Sequence, residues 1–170
     1  MATEQVLQVP IRRYTIESER PFADVLGGIF GGISRPDIGT LFSDLEASTS
    51  YEQFSSLVQQ AQGSAGLMRF WQLDLDVALT LDPQARDQAG CRLVRLIAGN
   101  PVTMGEMTRH VADAGSYAPV TVLIDERKDG IHLSYDRMAS FLGSYGNSVA
   151  LKVAQELDSK VEALLTAMAK

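Results

Sequence analysis

Cysteine occurs once in this 170-residue chain and histidine twice, and these scarcities exclude several kinds of chemistry at once. Cys91 alone closes no internal disulfide and fits a reducing compartment. Together with His110 and His132 it makes three soft ligands, one short of a tetrahedral zinc site, so no metal and no cofactor is expected. Positive charge is also short: 15 Lys and Arg stand against 21 Asp and Glu, a net charge of −6. The eleven arginines are scattered, whereas a nucleic-acid binder needs a basic stripe to displace counterions from phosphate. There is no long hydrophobic run. The glycine-rich apolar stretch 25–33 is far too short to cross a bilayer, and no charged segment leads into an apolar one at the start of the chain. The expectation is a cytoplasmic, soluble protein with no nucleic-acid and no membrane partner.

What is present is ordinary globular composition, 45% hydrophobic and 21% charged. The length suits one domain, 1–170, with a sizeable core. A first strand is expected over 6–17, where Leu7, Val9 and Ile11 alternate and the apolar phase then moves to Tyr14 and Ile16. Pro10 accounts for that shift, since it cannot donate to a ladder and favours an edge or bulge. The segment 18–66 reads as helical. It holds one helix carrying Phe22, Val25, Leu26, Ile29 and Ile33, then helices over 37–47 and 51–62, the last capped by Ser50. A strand over 67–75 follows, with two continuations open: a long half-buried strand through Val77 and Leu79, or a short helix over 77–81 with Asp76 as its cap. The polar, proline-containing stretch 82–90 reads as a surface loop.

The second half is clearer. An apolar run over 93–98 leads into Gly99-Asn100-Pro101. Asn100 is a strong helix cap, and Pro101 sits where a missing N–H costs nothing. Met104, Met107 and Val111 then recur at helical spacing, with Arg109 and His110 expected in the last turn, near the negative end of the dipole. Residues 120–124 are apolar on both faces, as a central strand requires. They are expected to pair antiparallel with 131–135 through a loop at 127–130, where Gly130 supplies positive φ. Residues 139–145 read as irregular. From Ser148 to the end, Ala150, Val153, Leu157, Val161, Leu164 and Met168 form the strongest helical stripe of the chain. Hairpin-linked strands with helices between them indicate an α+β fold. The expected architecture is a single mixed, largely antiparallel sheet with helices mainly on one face and a long C-terminal helix.

Within 71–136 the wording resembles the domain-of-unknown-function family numbered 302. The matching features are an aspartate-containing strand end, the strand closing on Gly99-Asn100-Pro101, the strand led by Pro119, and the hairpin. The stretch from Asp113 to Pro119, with His132 to Met138, is similar to a subgroup of mainly bacterial members. Many members of the family carry cysteine where this chain has Gly99 and Val120, so no thiol role carries over. The resemblance implies a compact α+β fold and frequent self-association, and it implies no reaction.

Candidate sites are few, and each has two readings. His132 with Asp136 is the most enzyme-like pair, because a carboxylate can hold an imidazole in one tautomer. The two meet only if the chain turns after Tyr135; otherwise they are a histidine on a strand face and an aspartate opening a turn. Arg92 and Arg95 lie on opposite faces of one strand. Either arginine could pair with Asp74, Asp76 or Glu17, or bind an anion beside the free N–H groups near Asn100. Gly27-Gly28-Ile29-Phe30-Gly31-Gly32 lacks the Gly-Lys-Ser/Thr ending of a phosphate loop and sits in a helix, where close packing or a flexible lid explains it. Cys91 reads as a quiet buried thiol. Met104, Met107, Tyr117 and Tyr135 are either core or the lining of a ligand pocket.

Three functions therefore stay open. The preferred one is a non-enzymatic homodimeric domain binding a small apolar or amphipathic ligand through Arg95, Asn100, Tyr117, His132 and Tyr135. The second is a small enzyme using His132 as acid or base, with Tyr135 and Arg95 orienting a carboxylate-bearing substrate. The third is a structural subunit without a ligand. The dimer is expected because the apolar faces of the helices over 37–47 and 51–62 are hard to bury in a chain this size, and its interface is placed on them or on the adjacent sheet edge.

Overall fold

Alternation of apolar and polar residues builds five strands: β1 (Arg13–Ser18), β2 (Met68–Asp74), β3 (Leu93–Gly99), β4 (Val120–Arg127) and β5 (Gly130–Asp136). In this computed structural model, which describes residues 3, 4, 6–85 and 92–170, they form one sheet in the order β1-β5-β4-β3-β2. Every neighbouring pair is antiparallel. This is the largely antiparallel sheet expected, and its parallel component among the described residues is a lone bridge between Ser34 and Met68. The β4–β5 hairpin follows the expected register, from Val122 opposite Tyr135 to Arg127 opposite Gly130. Lys128 and Asp129 make the turn. Gly130 has φ +135°, and a Cβ there would lie 2.9 Å from the Ser18 carbonyl oxygen of β1. Both facts call for glycine.

The helices are α1 (Phe22–Gly32), α2 (Ile38–Glu46), α3 (Tyr51–Ala61), α4 (Asp76–Leu81), α5 (Pro101–Thr108), α6 (Met138–Leu142) and α7 (Ser148–Ala169). The alternate residues Val94, Leu96, Val120, Val122, Ile124, Ile131, Leu133 and Tyr135 face α1 and α7 and are buried with them in the main core. Along α7 the buried stripe runs Ala150, Ala154, Leu157, Asp158, Val161, Leu165 and Ala169, while Val153, Leu164 and Met168 pack at its margin. Gly28 and Gly32 of α1 meet Met168 and Leu164 of α7 so closely that any Cβ would clash. Two of the four glycines in the run thus serve close helix packing, while Gly27 and Gly31 face open space. A second, smaller core joins Leu41 and Leu45 of α2 and Val58 of α3 to Met68. Part of the faces that the sequence reading left to a partner is thus covered within the chain, while Phe42 of α2 and Tyr51 of α3 stay exposed.

Several local expectations are corrected. Residues 6–12 pair with no strand, and β1 starts only at Arg13, so Pro10 lies before the strand rather than at a bulge within it. Of the two continuations open after Asp74 the chain takes the helix, α4, with Leu75 rather than Asp76 as its cap residue and Asp76 in its first turn. Residues 139–145, read as irregular, lie in α6 and a 3-10 turn that together span 138–145. Helix α5 ends at Thr108, so Arg109 is its C-cap and His110 lies beyond it. Cys91 and residues 86–90 of the expected loop lie outside the described residues.

Candidate functional site

Two cavities meet at the end of the sheet where β3 closes and β4 opens. The first, about 390 Å³, is walled by Ile38 and Phe42 of α2, Phe70 and Trp71 of β2, Met104 and Met107 of α5, and Pro119. Its existence rests on a bulge. The β2–β3 register slips between Arg69 and Trp71, which leaves Phe70 outside the ladder. Its ring packs edge-on against Phe42 with centroids 5.9 Å apart. Gly99 forms the floor, where a Cβ would stand 3.0 Å from the Phe70 ring and 3.1 Å from Pro119. Glycine here carries no side chain, which leaves room for Phe70 and Pro119 to approach.

Asn100 borders this cavity, yet all its side-chain capacity is used. Its Oδ1 accepts from the Val102 and Thr103 N–H groups at 2.9 and 3.3 Å. Its Nδ2 donates to Gln62 Oε1 at 2.7 Å and to the Gly66 carbonyl at 3.0 Å. Asn100 therefore ties α5 to the end of α3 and is spent as a structural group.

The second cavity is a groove of about 710 Å³ on the sheet face opposite α1 and α7, lined by Arg95, Ile97, Thr121, Leu123, Ser134 and Tyr117 among others. Arg13 and Asp136 border it as a two-pronged pair, with contacts of 2.7 and 2.9 Å, and the guanidinium holds the Asp136 carboxyl below its ordinary pKa. Arg95 is exposed. Its Nη2 lies 3.4 Å from Thr121 Oγ1, and among the described residues it has no carboxylate within salt-bridge distance. Tyr117 stacks on Phe141 with centroids 4.5 Å apart and shares a hydrogen bond of 2.7 Å with Tyr145. That bond is the main reason the Tyr145 hydroxyl is pushed up from its ordinary pKa.

Of the remaining predicted residues, Tyr135 lines the groove beside Asp136, while His132 and Arg92 line neither cavity. His132 and Asp136 lie four positions apart on one continuous strand, about 13 Å along it, and make no contact because β5 runs through Asp136 without turning. His132, 4% exposed, instead lies at the hairpin end. Its Nε2 is 3.0 Å from Asp129 and its Nδ1 3.8 Å from Glu17. The Asp129 carboxyl is lowered chiefly by that histidine contact. Tyr135 points to the helical side, donating to Asp158 Oδ1 at 2.5 Å, and burial is the main cause of its raised pKa. Arg92 pairs with Asp76 at 3.3 Å and covers the Phe22 ring, one of the pairings read from the sequence.

Sequence reasoning left Met104 and Met107 as either core or pocket lining and did not single out Ile38, Phe42, Phe70 and Trp71. The available signal was the adjacent pair Phe70-Trp71, two large aromatics in a row where strand alternation demands one. It also missed Asp158, a carboxylate inside the apolar stripe of α7. Among the described residues no group of three or more His, Cys, Asp and Glu is placed to hold a metal, and no helix is long and apolar enough to cross a membrane.

Compared with known proteins, residues 44–168 match the sequence model of the family described as domain of unknown function DUF302. This chain belongs to the DUF302 family. The match extends to both sides of the stretch 71–136 that carried the resemblance. The crystal structure of an uncharacterised conserved DUF302 protein from Bacillus stearothermophilus superposes with a TM-score of 0.61 at 12% identity. The superposition covers 93% of this chain and 98% of that one, which is a likeness of fold. No curated protein matches.

Proposed function

We propose that this DUF302 protein is a non-enzymatic domain that binds a small apolar or amphipathic ligand in the cavity beside Gly99-Asn100-Pro101. The supporting observation is the lining: aromatic and aliphatic side chains from three separate elements surround a concave space of ligand size. The polar groups nearest to it are spent, because Asn100 makes four hydrogen bonds with the protein itself. His132, the one base weighed for catalysis, lies at the hairpin end of the sheet, so the cavity lacks the paired groups that a chemical step needs.

Titration with the neutral fluorophore N-phenyl-1-naphthylamine tests this reading. Saturable enhancement at one site per chain is expected. Met104→Trp, at a half-exposed position on the cavity wall, should weaken binding by about tenfold, a loss of about 1.4 kcal/mol. Enhancement that never saturates, or equal affinity in the variant, would remove the reading. Native mass spectrometry of the purified protein would show whether a ligand is carried along.

Self-association is proposed at the β2 edge and α4. Trp71 is 63% exposed and Leu81 77%, with Val77 and Leu75 between them, and β2 ends the sheet. An edge strand followed by an apolar helix is a surface that a second copy covers. Sedimentation equilibrium at micromolar concentration should show a dimer mass. A monomer alone would contradict it.

A further inference from the structure

We propose that the ligand is an amphipathic monocarboxylate whose apolar body fills the cavity and whose carboxylate lies on Arg95. This rests on the cavity reading above and specifies it further. The cavity and the groove share the wall Ala118-Pro119-Val120. Trp71 of the cavity is the cross-strand partner of Ile97 in the groove. Gly99, Ile97 and Arg95 are alternate residues of β3 and therefore share one face. A molecule lying along them passes from the apolar floor, over an isoleucine, to a guanidinium about 13 Å away.

The charges of the groove select the head group. Arg13 and Asp136 neutralise one another, and Arg95 is left as one positive charge with no carboxylate partner among the described residues. Thr121 Oγ1, 3.4 Å from its Nη2, adds a hydroxyl beside it. The planar fork of a guanidinium matches a carboxylate in shape and charge. A phosphate monoester brings nearly two negative charges to a groove that offers one. A neutral ligand leaves Arg95 unused.

Decanoate, whose extended chain is about that long, and its methyl ester separate the two parts of the proposal when each displaces N-phenyl-1-naphthylamine. In the wild type, decanoate should displace the fluorophore at about tenfold lower concentration than the ester, and added salt should narrow that gap. In Arg95→Gln, an exposed position whose replacement should leave the unfolding midpoint in place, the two should become equal while the ester is unchanged. Equal displacement by acid and ester in the wild type overturns the carboxylate assignment and leaves the cavity standing. So does a preference for the acid that survives in Arg95→Gln. Binding of the fluorophore with displacement by neither compound rules out an aliphatic chain as the apolar body. Failure of the fluorophore itself to bind removes the cavity reading, and this inference with it.

Discussion

Asp158→Ala is expected to lower the unfolding free energy by about 4 kcal/mol. Asp158 lies on the buried stripe of α7 at 7% exposure, a place where a carboxylate is tolerated only when fully partnered. Its Oδ1 accepts from the Tyr135 hydroxyl at 2.5 Å and the Met138 N–H at 2.7 Å, and its Oδ2 accepts from the Ala139 N–H at 3.1 Å. Thus one side chain on α7 caps the start of α6 and anchors the buried end of β5. Alanine would leave the buried phenol proton and the Ala139 N–H without an acceptor, and the Met138 N–H with only the Tyr135 hydroxyl oxygen at 3.2 Å. Urea denaturation would measure the loss, and a change below about 1 kcal/mol would contradict the account. Asp158→Asn keeps one acceptor but turns its amide towards the Ala139 N–H, so an intermediate loss is expected.

The same residue sets a pH dependence with a definite sign. Burial is the leading cause of a carboxyl pKa above the ordinary value, outweighing the hydrogen bonds that pull it down. The folded state therefore holds this proton to higher pH than the unfolded chain does. Its contribution is fully present below the ordinary aspartate pKa of about 3.9 and is lost as pH rises through the raised folded value. Asp136, lowered mainly by its hydrogen bond with Arg13, works oppositely, contributing above the ordinary range and losing that contribution as pH falls. The stability difference between wild type and Asp158→Asn should accordingly shrink as pH rises from about 4, which denaturation curves at several pH values would show.

Asn100→Ala should cost about 3 kcal/mol, well beyond the roughly 1 kcal/mol of an ordinary helix cap. The excess is tertiary. Besides capping α5, the amide donates to Gln62 at the end of α3 and to the Gly66 carbonyl, so alanine cuts α5 loose from the helical segment before β2. Asn100→Asp separates the two roles. It keeps the cap acceptor, loses both donors, and sets a carboxylate against two acceptor oxygens, so it should recover only the cap's share. If Asn100→Asp matches the wild-type denaturation midpoint, the bridging role is wrong.

Wherever a few neighbouring residues carry the whole cause, the sequence was sufficient. The hairpin register follows from alternation and Gly130, the start of α5 from Asn100-Pro101, and α7 from a repeating stripe, because each depends on contacts within one or two turns or one strand pair. Family membership was legible for the same reason, since its motifs are contiguous. The continuation beyond Asp74 stayed open because Val77 and Leu79 fit either period, and only the chain's departure from β3 decides between strand and helix. The fate of His132 was equally undecidable. Its separation from Asp136 depends on whether β5 continues, and that is set by pairing with Arg13, more than a hundred residues away.

The cavity belongs to tertiary structure altogether. Its walls come from positions 38, 42, 70, 71, 99, 104, 107 and 119, which share no periodicity and meet only because a bulge turns Phe70 out of the ladder and Gly99 lets Pro119 close upon it. Burial of Asp158 and the double use of Asn100 arise in the same way, from partners twenty to forty residues distant. Short-range pattern determines elements because backbone sterics and capping act over a few residues. Empty space and paired charge are left to the packing of whole elements, since each is defined by atoms that no local stretch of chain contains.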